Sequence, residues 1–104
     1  MIQSLMNLLG LGPQADYKQL VESGATIVDV RTKGEYESGH IKGSVNIPLG
    51  SLPNSYSRIR KDRPVITCCA SGMRSGQAKS FLKSHGFTEV HNGGGWSSLE
   101  QRLK

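Results

Sequence analysis

The sequence predicts an α/β fold, with a central mostly parallel sheet and helices on both faces. Three observations point there. Two short runs, ATIVDV at 25–30 and PVITC at 64–68, are rich in β-branched residues and almost continuously apolar, as in strands buried on both faces. From Arg74 onward the apolar period lengthens, and Ala78, Phe81, Leu82 and His85 fall at i, i+3, i+4 and i+7 on one face of a helix. Strand and helix patterns also alternate along the chain, as a parallel sheet with covered faces requires.

The elements follow in order. In MIQSLMNLLGLG, residues 1–12, Ile2, Leu5, Met6 and Leu9 recur at helical spacing, which predicts a short amphipathic helix packed on the domain. The stretch lacks a positive leading region, a long apolar run and a small-residue cleavage pattern, so it reads as neither signal peptide nor membrane span. Gly10, Gly12 and Pro13 break the chain, and DYKQLVESG predicts a second short helix opened by Asp16 and stopped by Gly24. Beyond the strand at 25–30, a helical turn is expected around GEYESG, 34–39, then a brief extended piece through Ser44, Val45 and Asn46 that Pro48 ends. SLPNSYSRI predicts another short helix, with Ser51 as its cap and Pro53 in its first turn. After PVITC comes the helix from Arg74, terminated by Gly86. FTEVH, 87–91, predicts a third clear strand, GGG at 93–95 a tight turn, and SSLEQRLK a final helix.

Composition narrows the function classes. A length of 104 residues suits a single domain, 1–104, that buries about 60 to 68% of the surface its unfolded chain exposes. Lys and Arg total 13 against 8 acidic residues, a net charge of +5 that steers small anions toward the surface. The basic residues are scattered, and only RIRKDR at 58–63 is dense. A run that short reads as a solvated loop, so neither nucleic acid nor membrane is expected as a partner. Two adjacent cysteines, Cys68 and Cys69, make no disulfide framework and suit a reducing, cytoplasmic compartment. His40, His85 and His91 are scattered without ligand spacing, so no metal and no other cofactor is expected.

The stretch CCASGMRSG, 68–76, carries the chemistry. It lies between a strand and a helix, at the strand end where ligands bind in parallel sheets. Ser71 and Gly72 permit the chain to turn, and Gly72 can take a positive φ without steric cost. Such a turn aims backbone N–H groups inward, and the helix start near Arg74 adds its positive end. A thiol in that bowl has its thiolate stabilised. Side chains alternate along a strand, so if Cys68 is packed as the last strand residue, Cys69 opens the loop. A vicinal Cys68–Cys69 disulfide is the alternative that blocks the nucleophile.

These residues resemble the single-domain rhodaneses, or thiosulfate sulfurtransferases. The family's persulfide-forming loop reads Cys, four residues, Arg, usually then Ser, matched by Cys69, Ala70, Ser71, Gly72, Met73, Arg74 and Ser75. Its second signature, Asp-Val-Arg, then Glu-(Phe/Tyr) and Gly-His-Ile-x-Gly-(Ala/Ser)-x-Asn-Ile-Pro, is matched by Asp29, Val30, Arg31, Glu35, Tyr36 and Gly39 through Pro48. Together the motifs cover the chain from about residue 16 to 100 at family spacing. One departure concerns the Gly-Gly that the family follows with a more distant Trp: Gly94 and Gly95 fit, but Leu99 holds the Trp position and Trp96 comes directly after the glycines. This places an aromatic at the active-site rim or in a different packing slot.

The resemblance implies transfer of sulfane sulfur through a Cys69 persulfide, from thiosulfate or another small anionic persulfide donor to cyanide or a thiol, including a protein thiol. The N–H groups of residues 70–74 are expected to hold the terminal sulfur's charge. Arg74 either binds the anion or braces the loop. Asp29 is expected to accept hydrogen bonds from His40 or a backbone amide, and Arg31 to guide an anionic donor or remain a surface charge. His40 is expected to be structural, and Ser75 completes the loop motif. Two rivals stand beside this reading. Tyrosine phosphatases and some arsenate reductases also place a cysteine in an anion loop, but generally with one more residue before the Arg, making a bowl sized for a tetrahedral oxyanion. A catalytically idle rhodanese-like module that binds a protein is the other.

Overall fold

Asp16 opens the first helix with its side chain, which accepts from the Gln19 N–H at 3.1 Å. The computed structural model describes residues 15–104, and the helix expected at 1–12 lies outside the described residues. Helix α1 runs Tyr17–Glu22 and leads into β1, Thr26–Asp29. A capping box then starts α2, Lys33–Glu37: Thr32 accepts from the Glu35 N–H while the Glu35 carboxylate accepts from the Thr32 N–H. Strand β2 is short, Val45–Asn46.

A 3₁₀ turn at Leu49–Ser51 feeds α3, Leu52–Ser55, and a second 3₁₀ turn spans Tyr56–Arg58. Ser51 holds the cap position of α3, yet its hydroxyl caps nothing. The chain arrives already helical, with the Leu52 N–H bonded to the Leu49 carbonyl, so the turn does the work expected of the side chain. Strand β3, Val65–Cys69, is buried throughout. Helix α4, Met73–Ser84, strand β4, Val90–Gly95, and helix α5, Trp96–Arg102, complete the fold.

The sheet order is β2-β1-β3-β4 and every neighbouring pair is parallel. Alternation along β3 divides its side chains between two cores. Val65 and Cys69 pack with Leu52, Ala78 and Leu82 on the α3 and α4 side, whereas Ile66 and Cys68 pack with Tyr17 and Leu99 on the α1 and α5 side. From β1 the chain moves outward to β2, then returns to the other side of β1 as β3. The strand order therefore reverses between β1 and β3, and the crevice beyond their carboxyl ends is where such sheets take ligands. Asp29 and Cys68 are register partners at those ends.

The three glycines depart from the expected turn. They belong to β4, which begins only at Val90, while Phe87 is buried ahead of it. A Cβ on Gly93 would come within 2.8 Å of Ile66 Cγ2, 2.9 Å of Leu99 Cδ2 and 2.9 Å of the Thr67 carbonyl oxygen. Absence of a side chain lets strand, neighbour and α5 close together here. The register also slips: Thr67 pairs with Asn92 but Cys69 with Gly95, so β4 carries one extra residue and bulges, with Gly94 at φ +79°.

Gly93→Ala is expected to destabilise the domain by about 1–3 kcal/mol through overpacking. At Gly34 in α2 a methyl group would meet nothing within 4 Å, and φ is not positive, so Gly34→Ala is expected to stabilise by about 0.4–1 kcal/mol. Urea midpoints of the two variants check both signs.

Candidate active site

Cys69 is the last residue of β3 and only 1% exposed. Beyond it Ala70 and Ser71 lead to Gly72, whose φ of +105° reverses the chain into α4. That conformation strongly favours glycine. The reversal turns the Gly72 N–H back onto Cys69 Sγ at 2.9 Å, and Ser75 Oγ lies 3.3 Å from the same sulfur. Burial works against the thiolate. Once the sulfur is a thiolate, hydrogen bonds from the Ser75 hydroxyl and the backbone N–H groups of Ser75, Gly72 and Ser71 outweigh burial, and they hold the thiol below its ordinary value. The Ser75 amide, one residue beyond the expected stretch, thus also favours the thiolate, while the Gly72 N–H is the loop amide bonded to the sulfur.

Cys68 has the opposite environment. It is fully buried on the α1 and α5 side. Burial, reinforced by the nearby Asp29 carboxylate, pushes its thiol up to about 12. Both thiols are free, and alternation sends them to opposite faces. Only one of the two sulfurs sits among hydrogen-bond donors.

The loop is fastened from two sides. On one, Arg74 Nη1 and Nη2 donate to Glu35 Oε1 and Oε2 at 2.7 and 3.0 Å, joining the start of α4 to α2. The Arg74 guanidinium, followed by the Thr32 backbone N–H, holds the Glu35 carboxyl down at about 2 against an ordinary 4.5. On the other side is β4. A Cβ on Gly95 would lie 2.9 Å from the Ala70 carbonyl oxygen, so the loop rests directly on the strand. Asn92 reaches the loop by two bonds: Ser75 Oγ donates to its Oδ1 at 2.6 Å, and its Nδ2 donates to the Gly72 carbonyl at 3.3 Å. Met73, within the loop, is 76% exposed.

The remaining expected residues make other contacts. Asp29 accepts from the Arg31 backbone N–H at 3.0 Å, as expected of a strand-end carboxylate, but its other partner is the Arg31 side chain and not His40. Arg31 is not a surface charge. It is 4% exposed, its guanidinium tied to Asp29 at 2.7 Å and to the Gly39 carbonyl at 2.7 Å, and covered by Trp96 at 4.7 Å. The Asp29 carboxylate and the Gly39 carbonyl offset the desolvation that burying this guanidinium costs. His40 stacks on Tyr36 at 3.8 Å and lies 2.7 Å from the Tyr36 carbonyl. Leu99 fills the α5 core slot, fully buried, while Trp96 covers the Asp29–Arg31 pair.

Two site residues escape a reading of the sequence. Glu35 is visible as part of a motif, and the Thr-x-x-Glu spacing signals a capping box, but nothing local shows its second partner 39 residues away. Asn92 gives no signal, since Asn before glycines reads as a turn.

The sequence matches the rhodanese-like domain over residues 13–101. The chain belongs to the rhodanese-like family. Among curated proteins it is 41% identical to YqhL of Bacillus subtilis over 77% of this chain, a stretch that takes in 64% of that relative, less than two thirds of its length. It is 37% identical to the thiosulfate sulfurtransferase PspE of Escherichia coli, covering 69% of this chain and 71% of the relative. Among solved structures, an Escherichia coli rhodanese with anions superposes at a TM-score of 0.64 with 34% identity, over 71% of this chain and 89% of that one. The rhodanese-like domain of an Anabaena protein superposes at 0.67 with 31% identity, over 75% and 92%. The parallel sheet flanked by helices is thus the rhodanese-like architecture, within a family of sulfurtransferases. No helix among the described residues is long and apolar enough to cross a membrane.

The Arg74–Glu35 brace has a defined pH range. A carboxyl held below its unfolded value contributes above that value and loses the contribution as pH falls through its folded value, here from 4.5 down through about 2. Wild type is expected to exceed Glu35→Gln modestly in thermal midpoint at neutral pH, because the pair is half-exposed. The gap is expected to close across that acid window, as thermal melts over pH would show.

Proposed function

We propose that this rhodanese-like domain is a sulfurtransferase that carries sulfane sulfur as a persulfide on Cys69. The observation that carries the reading is the polar setting of one sulfur: the Gly72 N–H donates to it at 2.9 Å, and the Ser75 hydroxyl, 3.3 Å away, takes its proton at rest and can turn onto it once it is a thiolate. An activated thiolate is what a covalent intermediate needs. Attack by the Cys69 thiolate on the outer sulfur of thiosulfate forms a new S–S bond, breaks the old one and releases sulfite. The persulfide left behind keeps one negative charge, for which the N–H groups of the 70–74 loop and of Ser75 are the donors. Cyanide or a thiol then takes the outer sulfur and returns Cys69 to the thiolate.

Thiosulfate as donor is supported by the Escherichia coli relative named for it, and another persulfide would react by the same displacement. The acceptor class is a thiophile, cyanide in an assay and a small or protein thiol otherwise. Cys69 is the nucleophile, Ala70, Ser71, Gly72 and Met73 form the loop, and Arg74 braces it through Glu35. The buried Asp29–Arg31 pair supports the end of β1, and His40 is structural, stacked on Tyr36. A reducing compartment such as the cytoplasm keeps both thiols free for this cycle.

Intact-mass measurement of wild type, Cys68→Ser and Cys69→Ser after anaerobic thiosulfate treatment tests the reading. A single adduct of about 32 Da on wild type and Cys68→Ser, absent from Cys69→Ser and discharged by cyanide as thiocyanate, is expected for a covalent sulfur carrier. Fully reduced wild type that takes up no sulfur from thiosulfate or from a small persulfide would overturn it in favour of a protein-binding module.

A further inference from the structure

Around Cys69 the acceptors outnumber what one hydroxyl can serve. Ser75 Oγ carries a single proton and has three acceptors in reach: Cys69 Sγ at 3.3 Å, the Gly72 carbonyl at 3.1 Å and Asn92 Oδ1 at 2.6 Å. The shortest bond goes to Asn92. The orientation of that amide is settled by its neighbours. The Gly94 N–H, 3.0 Å away, can meet only the oxygen, and the Gly72 carbonyl, 3.3 Å away, only the NH₂ group. The bulge supplies this arrangement, because the positive φ of Gly94 belongs to the extra residue that β4 carries opposite Thr67 and Cys69.

We propose that Asn92 is a positioning residue for Cys69: by holding the one proton of the Ser75 hydroxyl on its side-chain carbonyl, it keeps that proton off the sulfur. At rest the chain of bonds then runs in one direction, from the Cys69 S–H to Ser75 Oγ and from the Ser75 O–H to Asn92 Oδ1. When Cys69 gives up its proton to solvent, its sulfur becomes an acceptor. The Ser75 hydroxyl turns onto it and Asn92 Oδ1 keeps only the Gly94 N–H. The exchange of one hydrogen bond for another sets how readily the thiolate forms. Asn92 Nδ2 also touches the Gly72 carbonyl, but the Gly76 N–H bonds that carbonyl at 3.1 Å in any case. The loop therefore keeps its shape without the amide, and competition for the Ser75 proton is what its loss removes.

Other groups facing Cys69 are few. Arg74 on α4 adds positive charge but is paired with Glu35 of α2, Asp29 on β1 is paired with Arg31, and Cys68 on β3 is held as a neutral thiol by burial. From β4, the neighbours of the loop are Asn92 and glycines.

The test is the pH profile of iodoacetamide labelling, resolved between Cys69 and Cys68 by peptide mass, in otherwise unmodified protein. Asn92 is exposed, so Asn92→Ala removes an acceptor without emptying the core. Its Cys69 is expected to label about 2- to 10-fold faster below neutrality, the size of one hydrogen bond, with the profile moved to lower pH. Asn92→Asp keeps the acceptor, adds negative charge and is expected to move it to higher pH. In a Ser75→Ala background, Asn92→Ala is expected to change nothing. Fully buried Cys68 reports any loosening of the domain, and its labelling is expected to stay flat in every variant. An unmoved or slowed Cys69 in Asn92→Ala with Cys68 flat, or an undiminished effect without Ser75, would overturn the proposal. So would Cys68 labelling that rises together with Cys69. The role rests on Cys69 being the reactive thiol, but labelling needs no sulfur donor, so its failure is distinguishable from failure of the sulfurtransferase reading.

Discussion

The reversal at Gly72 is the constraint on which the site depends. A φ of +105° returns the backbone over the end of β3 within three residues of Cys69 and leaves an N–H 2.9 Å from its sulfur. The same turn starts α4, which brings Ser75 back one helical turn later onto that sulfur. A side chain at Gly72 would sit in a region L-residues rarely adopt, and the Gly72 N–H and the Ser75 hydroxyl would move together. Burial alone would leave Cys69 like Cys68, a thiol pushed up by desolvation. The difference between the neighbours is one of hydrogen bonds, imposed by which side of the sheet each faces.

The turn holds because the structure around it is closed on several sides. Gly93 and Gly95 let β4 approach β3, α5 and the loop where any Cβ would collide. The bulge between them turns Asn92 toward Ser75 and Gly72. Across the site, Glu35 serves two elements at once, capping α2 and gripping Arg74 at the start of α4. Below, the buried Asp29–Arg31 pair, roofed by Trp96, ties the end of β1 to the Gly39 turn. Charged groups that look available in the sequence are thus already committed to one another. On the proposed reading, anion recognition falls to backbone amides.

Much of this is legible from the residues. Apolar runs at 25–30 and 64–68 and the helical period after Arg74 report burial on both sheet faces, which is a property of local pattern. Alternation places Cys68 and Cys69 on opposite faces for the same reason. What escapes is long-range. The glycines at 93–95 read as a turn because glycine permits one, whereas their cause is the closeness of Ile66, Thr67, Leu99 and Ala70, contacts made by residues elsewhere in the chain. Arg31 reads as exposed beyond a strand end, and only the fold shows Gly39 and Trp96 closing over it. Glu35 and Asn92 matter through partners on other elements, and no local spacing encodes such partners.

A crystal structure of the protein after anaerobic thiosulfate treatment would show whether the loop amides and Ser75 prepare Cys69 to carry sulfur. The expected result is one extra atom bonded to Cys69 Sγ and ringed by the backbone N–H groups of the loop, with Cys68 unchanged. An unmodified Cys69 beside a tetrahedral anion held by a displaced Arg74 would contradict it.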